Sequence, residues 1–216
     1  MAWAMAMLSH TMVGDPSAAM GLALESLSVF RELAHQPGMA QTLNTIGEIA
    51  RGSGNDEHAR RAYEEALALC RQTGETRCIA IIHTNLAFLA LHEGKAEQAR
   101  ELQREALRLA HAINNPLEMA KAIASLAGAL AALGQPELAA RFLGASERAL
   151  ERLGAFHQPN DKWEIENMIA AVRAQRDEAI FQAVWSRGTR PHPRTGHCSG
   201  TRCVRYANAQ TMCRGL

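Results

Sequence analysis

The sequence predicts an all-α fold, a right-handed superhelical solenoid of antiparallel helix hairpins, and three observations carry that expectation. Alanine, leucine, glutamate, arginine and glutamine dominate, while aromatic residues make up only 5% of the 216 residues. Strands favour the β-branched and aromatic types that are scarce here. Gly14, Gly54, Gly94 and Gly134 recur at intervals of forty residues. Around them the apolar and small positions fall into register, which is the signature of a repeat whose units stack on one another.

The register can be followed through the unit. Ile46, Leu86 and Leu126 align, as do Ile49 and Leu89; beyond each glycine, Ala19, Ala59, Ala99 and Ala139 align again. Ala66 matches Ala106, and Leu27, Leu67 and Leu107 form a further row. The stretch Met39–Arg51 spaces Leu43, Ile46, Ile49 and Ala50 by three and four, the pattern of an amphipathic helix. The glycine supplies the left-handed backbone that ends this helix and reverses the chain. A second helix, Asp56–Arg71, sets Ala59, Ala62, Tyr63, Ala66, Leu67 and Cys70 on one side. Its alanines allow the paired helices to approach closely. A single hairpin cannot bury its own apolar face, so neighbours must stack into a superhelix.

These residues resemble the tetratricopeptide repeat. With Ile46-Gly47 as the Leu-Gly pair, Gly54 falls at the turn, and Ala59, Tyr63 and Ala66 take the small, aromatic and small positions of the second helix. The next copy keeps Leu86, Ala87, Gly94, Ala99 and Ala106 but carries Gln103 in place of the aromatic. The family's usual period is 34, so about six extra residues are expected in the second helix or in the link that follows it. The resemblance covers residues 1–155 and implies a scaffold that binds other proteins, without specifying which.

Three segments divide the chain: repeats over 1–155, capping helices over 156–188 and a tail over 189–216. Ala2–Met12 is the short leading helix of the first copy, and its Trp3, Met5, Met7 and Leu8 leave an apolar end where a solenoid needs a polar cap. That face is open to self-association, and the chain is expected to be the C-terminal piece of a longer protein. Glu137–Leu153 completes the fourth hairpin, with Gly154 as its stop. Asp161 and Glu164 read as a capping box opening a helix to about Gln175, and a last helix carries Ile180, Phe181, Val184 and Trp185. The stretches Phe142-Leu143-Gly144-Ala145, Arg152-Leu153-Gly154-Ala155 and Ala179 to Gly188 resemble the ends of arrays in LuxR-type transcriptional regulators and related bacterial ATPases. That resemblance implies a sensor or scaffold role in signal transduction. It brings neither ATPase nor DNA-binding activity, because no phosphate loop and no helix-turn-helix pattern is present.

Charge and cysteine content bound the remaining classes. Residues 188–216 hold five arginines and no acid, leaving residues 1–187 with 18 basic and 22 acidic residues, a formal charge of −4. The body therefore gives no reason to expect a nucleic-acid partner. An odd cysteine count, with only Cys70 and Cys78 in the body, predicts reduced thiols in a cytoplasmic protein, Cys70 buried on its helix. No apolar run reaches the roughly 18–20 residues that would span a bilayer. In the tail, His192, His197, Cys198, Cys203 and Cys213 offer zinc-ligand types but lack the Cys-x2-Cys spacing that makes a zinc site specific. The tail is expected to be unstructured or out of frame, to hold no metal and to need no cofactor. Nucleic-acid or zinc binding through it, and a free-standing adaptor, are the alternatives to the regulator.

The chain is expected to be no enzyme. Its histidines are scattered, His92-Glu93 reads as solvent-facing before a turn, and Glu64-Glu65 and Glu164/Glu166 read as polar faces. What remains is a concave groove made by the first helices of the hairpins, holding a protein or peptide. Mapping the repeat onto that face gives Gln41, Asn44, Glu48 and Arg51, then Ile81, Thr84, Phe88 and Leu91, then Lys121 with Ala124, Gly128 and Ala131. Ile81, Phe88 and Leu91 either line an apolar middle of the groove or pack against neighbouring helices, and the sequence leaves both readings open.

Overall fold

In the computed structural model, which describes residues 15–156, 159–174 and 178–189, turns recur every twenty residues. Positive φ occurs at Ala34, Gly54, Gly74, Gly94, Asn114, Gly134 and Gly154. At each of these turns the following residue donates its N–H to a carbonyl five positions earlier, as Asn55 does to Ala50 at 2.9 Å. This is the bond that closes a helix end with a left-handed residue. The forty-residue sequence period is thus two structural half-periods of twenty. Ala2–Met12, Gly14 and the tail with its arginines, histidines and cysteines lie outside the described residues.

Nine helices follow among the described residues. They are α1 (Pro16–Glu32), α2 (Gln36–Gly52), α3 (Asp56–Thr73), α4 (Thr76–His92), α5 (Ala96–Ala112), α6 (Pro116–Ala132), α7 (Pro136–Leu153), α8 (Pro159–Ala174) and α9 (Glu178–Thr189). Side chains at the turns close several N-termini: Asp15 accepts from Ala18 N at 3.0 Å, Asn55 from His58 N at 3.1 Å and Asn115 from Glu118 N at 3.2 Å. Proline in the first turn of α1, α2, α6 and α7 adds a φ already set for helix. The extra length over a 34-residue unit is shared by both helices, each of 17 or 18 residues from α1 to α7, rather than placed in the second helix or its link.

Consecutive helices α1 to α7 pack as antiparallel neighbours, and α4 also touches α2 and α6. The first helices therefore line up on one side, which we term the inner face. Rows read from the sequence form the core: Ala59, Ala99 and Ala139 are fully buried, and Ile46, Leu86 and Leu126 are buried with them. Close packing fixes particular residues. A Cβ on Gly47 would lie 2.3 Å from the Tyr63 ring, so the small residue of the Ile46-Gly47 pair is demanded by the aromatic of the next helix. In the following unit Gln103 takes the buried place of that aromatic, donating to Thr84 O at 3.2 Å and to Ser125 Oγ. A buried amide is tolerated because α4 and α6 satisfy it.

Two expectations are corrected in this part of the chain. Cys70 and Cys78 are joined in a disulfide across the α3–α4 turn, with Cα atoms 5.9 Å apart, rather than being free thiols. The short turn at Gly74 brings the end of α3 and the start of α4 together, which eight residues of sequence separation alone did not reveal. Asp161 and Glu164 do not cap a helix start. Helix α8 begins at Pro159, and both carboxylates turn onto Arg51.

Helices α8 and α9 complete the fold. Helix α9 lies against α7, with Phe181 and Val184 buried and the Phe181 and Trp185 rings 5.2 Å apart. Helix α8 touches α2, α6 and α7, crossing the inner face of the repeats. This placement divides that face in two.

Candidate functional site

Helices α2, α4 and α6 present equivalent positions forty residues apart, so the inner face has two zones along their length. The zone nearer their N-termini is open. It surrounds a cavity of about 420 Å³ that includes Gln41, Asn44 and Glu48 of α2, Ile81 and Thr84 of α4, and Lys121 of α6. Six of the twelve residues that the repeat mapping gives for the groove are therefore brought together. Arg51, Phe88 and Leu91 are not among them.

The floor of the open zone is a polar network. Asn85 Nδ2 donates to Asn44 Oδ1 at 2.8 Å, and Asn44 Nδ2 donates to Glu48 Oε1 at 2.9 Å. Glu48 is only 7% exposed, and Asn85 is buried beside it. Across the cavity Arg77 reaches the buried Glu118, Nη2 to Oε1 3.3 Å. The Thr84 hydroxyl is turned away, donating to Ala80 O at 3.2 Å. Amide side chains both donate and accept, so the Asn44–Asn85 pair can meet the alternating N–H and C=O groups of an extended chain. Asn85, Glu118, Arg77 and the rim residue Asp161 were missed by reasoning from sequence. Asn85 stands one position off the repeat register from Asn44, and Asp161 comes from a helix outside the array.

The zone nearer the C-termini is covered by α8. Arg51, 4% exposed, donates to Glu164 Oε1 at 2.6 Å and to Asp161 Oδ1 at 3.1 Å. Its guanidinium also stacks over the Phe88 ring, 4.8 Å from the centroid. Burial opposes the charge on Arg51, but Tyr63 and the two carboxylates together outweigh it and push its pKa above the ordinary value. Phe88, 2% exposed, belongs to the core cluster shared with Leu107, Ile123 and Ile165. It is core rather than groove wall, so Phe88→Glu would bury a carboxylate and unfold the chain instead of removing a binding contact. Leu91 is half-buried against Ala87, Ala90, Ala99 and Ala129, between helices rather than in the groove.

Glu164 departs from its expected polar face by being buried, while His92 is solvent-exposed as expected but held by carboxylates on both ring nitrogens. The His92 ring lies between two carboxylates, Nδ1 to Asp56 Oδ2 3.0 Å and Nε2 to Glu164 Oε1 3.1 Å. The hydrogen bond to Glu164, helped by Asp56, raises its pKa to about 9. Glu164 would be raised by its burial, yet His92 and Arg51 hold it below the ordinary carboxylate range. The imidazole is thus a cation near neutral pH, held on both nitrogens, and cannot serve as a general base there. Among the described residues no group of three or more His, Cys, Asp or Glu side chains is placed to hold a metal ion. No helix of the described residues is long and apolar enough to cross a membrane.

An all-α solenoid whose first helices form an inner face with an open polar cavity belongs to the class of helical-repeat scaffolds. Residues 39–73, nearly the whole of the α2–α3 hairpin that carries the Gly47–Tyr63 contact, match the tetratricopeptide repeat. No curated protein matches the chain in sequence.

Proposed function

We propose that this chain is a non-catalytic protein-binding module whose inner face holds an extended peptide segment of a partner, with a lysine or arginine of that segment directed to Glu48. The open cavity of about 420 Å³ carries this reading, because its floor joins two asparagine amides to a buried carboxylate. Glu75 adds negative charge around it, whereas Glu118 and Asp161 are paired with Arg77 and Arg51, and Lys121 is the further cation of the same lining. Selection of random peptides on the full chain tests the assignment. Peptides rich in Lys or Arg are expected, and Glu48→Gln is expected to weaken them about tenfold, the worth of one charge-assisted hydrogen bond. The exposed Arg104→Ala on α5 serves as control. Equal affinity for the Glu48→Gln chain, or selection of acidic peptides, would contradict it.

The resemblance of residues 142–155 and 179–188 to arrays of LuxR-type regulators supports a finer reading. On it, the module is the sensor part of a bacterial signal-responsive transcriptional regulator or ATPase. A gene whose reading frame joins this chain to a nucleotide-binding module would support that placement, and an isolated frame would favour an adaptor.

A further inference from the structure

Helix α8 meets the inner face as a ligand meets a site. At the positions Glu48, Phe88 and Gly128, equivalent in the three first helices, the side chain is a carboxylate, a ring and none, so the bed has most room over α6. In α6 the bed is reduced to Ala124, Gly128 and Ala131, and a Cβ on Gly128 would lie 2.6 Å from Met168 Sδ. At the other end of the bed stand the cations Arg51 and His92. Helix α8 carries the matching gradient: Asp161 and Glu164 for the cations, then Ile165, Met168 and Val172 toward α6 and the core. These residues are spaced by three and four, so they form one stripe on α8. Its charge order complements the surface beneath it, and its Met168 fills the space left at Gly128.

We propose that this half of the inner face is a helix-docking site that α8 fills as an internal ligand, and that a partner helix of the same pattern takes it when α8 is displaced. The pattern is two carboxylates three residues apart, followed by apolar residues four, seven and eleven positions after the first. The inference rests on the reading of the inner face as the recognition surface, extended from a peptide in the open zone to a helix in the covered one. An internal ligand acts at an effective concentration in the millimolar range. The site in the intact chain is therefore closed to weak competitors, and loosening the Arg51 contacts opens it.

The test uses a fluorescent peptide with the sequence of residues 159–174 and the full chain. Asp161→Asn with Glu164→Gln in the chain removes the α8 side of the contact and leaves Arg51 and His92 in place. That variant is expected to bind the peptide at least tenfold more tightly than the unaltered chain does. A peptide carrying the same two substitutions is expected to lose this binding, as is a chain that also carries Arg51→Met. No gain in affinity by a variant that keeps its helical circular dichroism would overturn the proposal. Should the variant fail to fold, hydrogen exchange on the unaltered chain decides. Amides of 164–172 are expected to exchange at least tenfold faster than the buried amides of α4 and α6, because a displaceable helix opens alone. Equal protection would make α8 part of the cooperative core and overturn the proposal. Either failure leaves selection of basic peptides by Glu48 untouched, so the two readings fail separately.

Discussion

Replacing Arg51 by methionine removes the one side chain that joins α2 to Asp161 and Glu164 of α8. The hydrogen bonds at 2.6 and 3.1 Å and the stacking on Phe88 at 4.8 Å are lost together, while methionine keeps much of the buried volume. Breaking a buried ion pair by deleting one partner costs about 3–5 kcal/mol, most of it the charge left behind. Two considerations lower that figure. His92 still faces Glu164, and on the proposed displacement of α8 Asp161 and Glu164 would regain water. The expected loss is about 2–3 kcal/mol, limited by the free energy with which α8 docks. Urea unfolding of Arg51→Met, Glu164→Gln and the double variant measures it. Their coupling should lie between about 1 and 3 kcal/mol, the range of residues sharing one network. A coupling below about 0.3 kcal/mol would show that the contact contributes nothing to holding α8 and would refute the reasoning.

Four further outcomes follow from the structure. Gly47→Ala is expected to destabilise by about 1–2 kcal/mol, overpacking against Tyr63 exceeding the gain in helix propensity. Gly21→Ala on α1, with nothing within 4 Å, is expected to stabilise by up to about 1 kcal/mol, and thermal melts of the two variants compare them directly. At the turn where Ala34 holds φ 49°, Ala34→Gly should raise stability by roughly 1 kcal/mol, since glycine adopts that region without the Cβ penalty. His92, raised from 6.5 to about 9, contributes stability that is complete below pH 6.5 and lost as pH rises through about 9. With the side chain 28% exposed, screening reduces that contribution to about 1–2 kcal/mol. NMR titration of the ring should return the high value, and His92→Gln should flatten the alkaline decline in stability.

The disulfide provides an independent check on the α3–α4 turn. Closing the short loop between Cys70 and Cys78 is worth about 2.5 kcal/mol in the chain-entropy account, so reduction should lower the urea midpoint accordingly. Peptide mapping after alkylation without reductant should recover residues 70 and 78 linked.

Periodic features of the fold were legible in the sequence, and features made by chance encounters in space were not. Apolar rows at forty-residue spacing located the core from Ala19 to Ala139, because stacking repeats constrain equivalent positions alike. The half-period of twenty was hidden because Ala34 and Asn114 adopt the left-handed turn without being glycine. Register alone places Gln41, Asn44, Ile81, Thr84 and Lys121 on one face, and they line the same cavity. What register could not show is that α8, outside the repeat, returns to cover Arg51 and Phe88. A contact between residues 51 and 164 spans 113 positions and leaves no periodic trace. Asp161 and Glu164 even imitate a capping box, because their spacing of three serves equally well to grip one guanidinium.

The claim that the inner face is the recognition surface is tested most directly by hydrogen exchange on the full chain with and without a selected basic peptide. The account predicts new protection in α2 around residues 41–48 and in α4 around 81–85, with α3, α5 and α7 unchanged. Protection confined to α3, α5 or α7 would place recognition on the opposite side of the solenoid and contradict it.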